Sequence, residues 1–182
     1  MEGRERPRLF VALLLPDEAV ARLAEWQGHE FADRRGLRVV PGENLHITLA
    51  FLGSRESGDV DPISEAVSAS AATVEPIALL VRRYHETQRV GMLVLDDETP
   101  VRRSEFLARD VQDRLAEIGV YRPESRPWTP HITVVRFRER PRLAPRLPEL
   151  GRVVSSEMAV MISRLRPSGA QYEVLESVSL GG

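Results

Sequence analysis

A chain of 182 residues is long enough to bury one hydrophobic core and short for two independent domains, so residues 1–182 are expected to form a single unit. At 42% hydrophobic and 29% charged it has the composition of an ordinary globular protein, and no apolar run approaches the roughly 20 residues that cross a bilayer as a helix. A formal charge of −2 excludes coating of nucleic acid by bulk electrostatics, while the absence of cysteine excludes disulfides and thiolate chemistry and fits a reducing compartment such as the cytoplasm.

The opening MEGRERPR mixes charges of both signs and lacks the apolar segment of a secretory signal, so it reads as a frayed terminus. RLFVALLL, from Arg8 to Leu15 between Pro7 and Pro16, is a continuous apolar run that suits a buried strand. A helix follows, with Asp17 and Glu18 where a helix N-terminus favours negative charge, and Val20, Leu23 and Ala24 at helical spacing. LRVV and NLHITLAFL read as strands joined by the turn PGEN, and Asp61-Pro62 begins a second helix running to about Thr73. IALLVRRY and RVGMLVLD are two further strands. VRRSEFLARDVQDRLAEIG is a helix, with Phe106, Val111, Leu115 and Ile118 on its apolar face and Gly119 ending it. The strand HITVVRF, a proline-rich loop RERPRLAPRLPEL and two last strands near EMAVMISRL and YEVLESVSL complete the chain. Several strands following one another directly favour an α+β fold with antiparallel sheets over a doubly wound parallel sheet.

Two of the four histidines stand in the same tripeptide, His46-Ile47-Thr48 and His131-Ile132-Thr133, once in each half of the chain. Side chains alternate along a strand, so each tripeptide turns an imidazole and a hydroxyl to one face. Ile47, Leu49 and Phe51 behind the first motif, and Ile132 and Val134 behind the second, are then expected to face the core. Two such strands across a cleft supply one imidazole as base and another as acid, with hydroxyls for phosphate oxygens, which suits in-line attack on a phosphodiester. His29 and His85 stand alone and read as structural. No His-x-x-x-His or acid partner accompanies the paired histidines, so no metal is expected; nor does the chain carry a phosphate-binding glycine loop, a dinucleotide fingerprint or a nucleophile elbow. Every basic residue is arginine, so a single arginine carries little weight by itself.

The pattern of PGENLHITLAFLG and PHITVVR, with RLFVALLLPDEAVARL before and YEVLESVSL after, resembles the two-histidine phosphoesterase superfamily. Within it the chain is most similar to the RNA 2′,3′-cyclic phosphodiesterases, also described as 2′-5′ RNA ligases. The resemblance implies a bilobal α+β fold, two antiparallel sheets facing a central groove with helices outside. It also implies His46 and His131 as the catalytic pair, Thr48 and Thr133 as phosphate-contacting hydroxyls, and Arg136 as a phosphate-binding cation. Strict alternation from His131 aims Arg136 the wrong way, so a bulge or the strand end has to turn it inward. The implied reaction needs no cofactor and opens a terminal 2′,3′-cyclic phosphate to a 2′-phosphomonoester. His131 is assigned as base and His46 as acid, although the sequence treats them almost symmetrically. The implied partners are RNA ends or small cyclic-phosphate nucleotides, with no membrane, and the protein is expected to act as a monomer. Rival readings are a phosphoesterase acting on 2′-5′ linkages, on a cyclic mononucleotide or on ADP-ribose 1″,2″-cyclic phosphate, and a non-catalytic RNA-end binding module. Trp128 and Tyr84 are candidates for base stacking or for packing.

Overall fold

The computed structural model describes residues 7–167 and 169–182, so the reading of the first six residues as frayed lies outside them. Helices and strands alternate as β1 (Arg8–Leu14), α1 (Asp17–Phe31), β2 (Leu37–Val39), β3 (His46–Ser54), α2 (Val60–Ala71), β4 (Ile77–Glu86) and β5 (Val90–Asp97), then α3 (Arg103–Glu117), β6 (His131–Phe137), β7 (Val153–Ser155), β8 (Glu157–Arg166) and β9 (Gly169–Ser179). Every strand pairing is antiparallel, and the hydrogen-bonded order is β7-β4-β5-β6-β3-β1-β8-β9 with β2 alongside β6. The expected bilobal α+β fold is present. The halves belong to one continuous nine-stranded sheet and meet in one pairing, Ile47 with Ile132, where β3 touches β6. Beyond it β2 pairs with the rest of that edge of β6, setting Arg38 against Arg136.

Each lobe buries one sheet face under helices. On β1, Leu9, Val11 and Leu13 join the main core below α2 and α3, which pack on each other and on β3, β8 and β9. The alternate residues Phe10 and Ala12 form a small second cluster with Ala159 and Met161 on the opposite face, so an apolar run serves a strand covered on both sides. Helix α1 instead crosses to the other lobe. Its Trp26 and Phe31 rings lie edge to face at 5.2 Å, Phe31 reaches Tyr84 of β4, and the buried Gln27 Nε2 donates to the carbonyls of Val40 and Val134. The proline-rich loop is held by the buried Glu86 carboxylate, which accepts from the backbone N–H of Arg142 and Leu143 and pairs with Arg140.

Two readings are corrected. The apolar face of α3 is Ser104, Leu107, Ala108, Val111 and Leu115, whereas Phe106 and Ile118 are exposed. A three-residue strand, β7, lies between the proline-rich loop and β8, in residues to which the sequence reading gave no element; it is too short for a sequence pattern to mark it.

Candidate active site

His46 and His131 are the first residues of β3 and β6, and the pairing of Ile47 with Ile132 brings the two strand starts together. Both imidazoles line one groove of about 310 Å³ between the lobes, together with Thr48, Thr133 and Arg136, so all five residues singled out from the sequence converge.

The two rings are held alike. Nδ1 of His46 lies 2.8 Å from the Asn44 carbonyl, and Nδ1 of His131 lies 2.9 Å from the Thr129 carbonyl, each two residues upstream. A carbonyl only accepts, so Nδ1 carries the proton in both rings, leaving Nε2 as the lone-pair nitrogen of the neutral form. Nε2 of His46 accepts from the Thr48 hydroxyl at 3.0 Å, while Nε2 of His131 has no partner among the described residues. Their surroundings differ. His46 sits against Phe10 at 4.9 Å and edge-on to Tyr172 at 5.4 Å. Burial pushes its pKa from the ordinary 6.5 to about 4, and the nearby positive charges of His131 and Arg136 push the same way against the Asn44 hydrogen bond. At neutral pH His46 is therefore uncharged.

Bulges set the remaining groove residues. Between Gly91–Val135 and Met92–Thr133 the β5–β6 register slips by one, making Val134 the extra residue, and Val134 and Val135 are both buried. The slip returns Arg136 to the face of His131 and Thr133, as the sequence reading required. The same slip occurs in β3, where Val11 pairs with Ala50 and Ala12 with Thr48 across the extra residue Leu49. Phe51 therefore faces the groove, not the core as strict alternation implied, and is 48% exposed. The two motifs thus share one backbone device, with Phe51 and Arg136 in equivalent places.

Sequence reasoning missed Phe10, Arg38, Asn44 and Tyr172, which also line the groove. They come from β1, β2, the turn before β3 and β9, and only the three-dimensional arrangement places them beside the histidines. Asn44 also donates from its side chain to the Ala170 carbonyl, pinning the β8–β9 hairpin over the groove. Trp128 and Tyr84 pack instead: the Trp128 indole donates to the Thr48 carbonyl at 2.9 Å, and the Tyr84 hydroxyl donates to Glu86 at 3.1 Å. His29 and His85 are exposed and outside the groove.

Comparison with known proteins agrees with this geometry. The family model described as LigT like Phosphoesterase matches residues 13–87, which include the first histidine motif. The chain is 36% identical over 96% of its length, and 91% of the relative, to a Thermus thermophilus protein named RNA 2′,3′-cyclic phosphodiesterase. A crystal structure of a protein from Thermus thermophilus superposes with a TM-score of 0.82 at 31% identity, covering 96% of this chain and 98% of that one. Escherichia coli LigT complexed with phosphate superposes with a TM-score of 0.73 at 25% identity, covering 98% of this chain and all of the other. Sequence, fold and groove agree in placing the chain in the LigT-like phosphoesterase family.

Proposed function

We propose that the protein is an RNA 2′,3′-cyclic phosphodiesterase that hydrolyses a terminal 2′,3′-cyclic phosphate to a 2′-phosphomonoester. The observation that carries this reading is the pair of like-held imidazoles converging on one groove beside Arg136. Water attacks phosphorus and gives its proton to Nε2 of His131. The bond from phosphorus to the 3′ oxygen breaks, and that oxygen takes the proton from Nε2 of His46. Thr48 and Thr133 hold the non-bridging oxygens by their hydroxyls, and Arg136 offsets the charge that gathers there. A phosphodiester in the groove brings a negative charge beside His46 and offsets Arg136, which moves the His46 pKa upward, the direction a proton donor needs. The chemistry needs no metal and no cofactor. The unit comprises residues 1–182, works as a monomer in the cytoplasm on RNA ends or small cyclic-phosphate nucleotides, and its described helices include none long and apolar enough to cross a membrane.

The test is mass spectrometry of oligonucleotides ending in a 2′,3′-cyclic phosphate, incubated with the protein in EDTA. Gain of one water with a 2′-phosphate product supports the reading, and kcat against pH is then bell-shaped, reporting the coupled pair in the complex. Binding without turnover would leave only an RNA-end binding module. Activity that waits for a divalent metal would remove the two-histidine mechanism.

A further inference from the structure

Adjoining the catalytic groove lies a second, larger one of about 850 Å³, lined by Arg35 and Arg38 before and within β2 and by Arg136 and Arg138 at and just past the end of β6, with Arg140 also among its lining residues. The two grooves share Arg38 and Arg136. These two arginines are directly opposite in the β2–β6 ladder, a placement in which like charges repel. Arg35, Arg38, Arg136 and Arg138 have no side-chain partner among the described residues. Among those residues the only acid lining this groove is the exposed Glu139, and Arg140 is committed to Glu86. Elsewhere arginines such as Arg82, Arg114 and Arg152 sit against carboxylates. Arginines without an ion pair occur elsewhere among the described residues too, so what marks this strip is that four of them share one groove. Arg38 also lies across the β8–β9 turn, its Nη1 only 3.4 Å from where a Cβ on Gly169 would stand, which places it at the mouth joining the two grooves.

A strip of unpaired guanidinium groups costs self-repulsion that a bound polyanion removes, and each planar fork matches a phosphate. An RNA that presents its 3′-terminal cyclic phosphate to His46 and His131 continues only on its 5′ side, so one strand leaves the site. The basic exit runs past Arg38 and Arg136. Resting on the proposed activity, we infer that the second groove binds the phosphodiester backbone immediately 5′ of the terminal nucleotide, so that the protein prefers an RNA strand over a cyclic mononucleotide.

The experiment compares kcat/KM for a 2′,3′-cyclic mononucleotide with that for cyclic-phosphate-ended di-, tri- and tetranucleotides, in the intact protein and in an Arg35→Gln/Arg138→Gln variant. The expected result is a rise of about 10-fold or more with length, carried mainly by KM. In the double variant the oligonucleotide-to-mononucleotide ratio should fall several-fold, and the salt slope for oligonucleotides should become shallower by about 0.7 for each phosphate that the variant no longer neutralises. Arg82→Gln, which removes a paired arginine on β4, should leave that ratio in place and so separates a local site from bulk charge. Hydrolysis of both substrates with equal kcat/KM, or a ratio indifferent to the double variant, overturns the second-groove assignment while the catalytic reading stands. Hydrolysis of neither substrate overturns the catalytic reading, and this inference falls with it.

Discussion

His46 carries opposing demands, since the burial that fixes its ring also disfavours its charge. Its folded-state pKa, about 4, lies below the ordinary 6.5, so on acidification the unfolded chain takes up this proton first. Its contribution is full above about pH 6.5 and is lost as pH falls toward 4, amounting to about 3 kcal/mol over that window. Urea unfolding at pH 7 and pH 4.5 should show this loss, and His46→Gln should lose less stability across the same interval. If the two proteins lose equal stability, the ring is not buried as described. In turnover, His46→Ala and His131→Ala are each expected to slow hydrolysis on the order of 100-fold while staying folded. His29→Ala and His85→Ala, exposed and outside the groove, should turn over at the rate of the parent protein. Comparable losses at all four would remove the pairing. The two histidines and their threonines were legible because the tripeptide repeats and because a strand sends alternate side chains to one face. Phe10, Arg38, Asn44 and Tyr172 were not, since they come from four separate segments and no local pattern marks any of them.

At the scale of the element, the bulges at Leu49 and Val134 decide what each histidine strand presents. The need for the second was legible from Arg136. The first was not, because a Phe at position 51 fits an apolar alternation equally well facing inward. Opposite the β6 bulge stands Gly91, where an added Cβ would meet the Tyr84 ring and come within 2.7 Å of Val135 Cγ1. The Val135 contact belongs to the bulge itself, so the strand has to shift to admit a methyl group. Gly91→Ala is expected to cost about 1–3 kcal/mol by overpacking and to lower kcat/KM by displacing Thr133 and Arg136. Thermal unfolding and a turnover assay check both. Unchanged stability would mean that Tyr84 and Val135 both yield to the methyl group without strain. The face of α3 was misread for a related reason: Phe106 is apolar but lies off the stripe formed by Leu107, Val111 and Leu115, and an exposed aromatic residue cannot be told from a buried one by its identity.

Across the whole molecule, the fold class followed from the succession of strands and helices, but the exchange of helices between lobes did not. Nothing local tells α1 to cover the sheet of β4 to β6 while α2 and α3 cover β1, β3 and β8; that is settled by where complementary apolar faces meet. Gln27 fixes α1 on that sheet, its amide donating to the Val40 and Val134 carbonyls where β2 meets β6. The sheet itself is thinnest at the seam, where a single pairing joins β3 to β6. A junction held by so little is where amide protons should escape to solvent by local opening, well before the molecule unfolds. A ligand gripped by His46 and Thr48 on one side and His131 and Thr133 on the other bridges that line and has to be released before it parts. With a 2′-phosphate nucleotide at about 100 times its dissociation constant, openings that expel it should be suppressed by about 2.7 kcal/mol. Hydrogen–deuterium exchange of amides that open at the Ile47–Ile132 pairing should then slow about 100-fold, while exchange in the distant β4–β7 pairing changes little. The reacting groups thus lie along the line where the protein breathes, and its substrate serves as the staple.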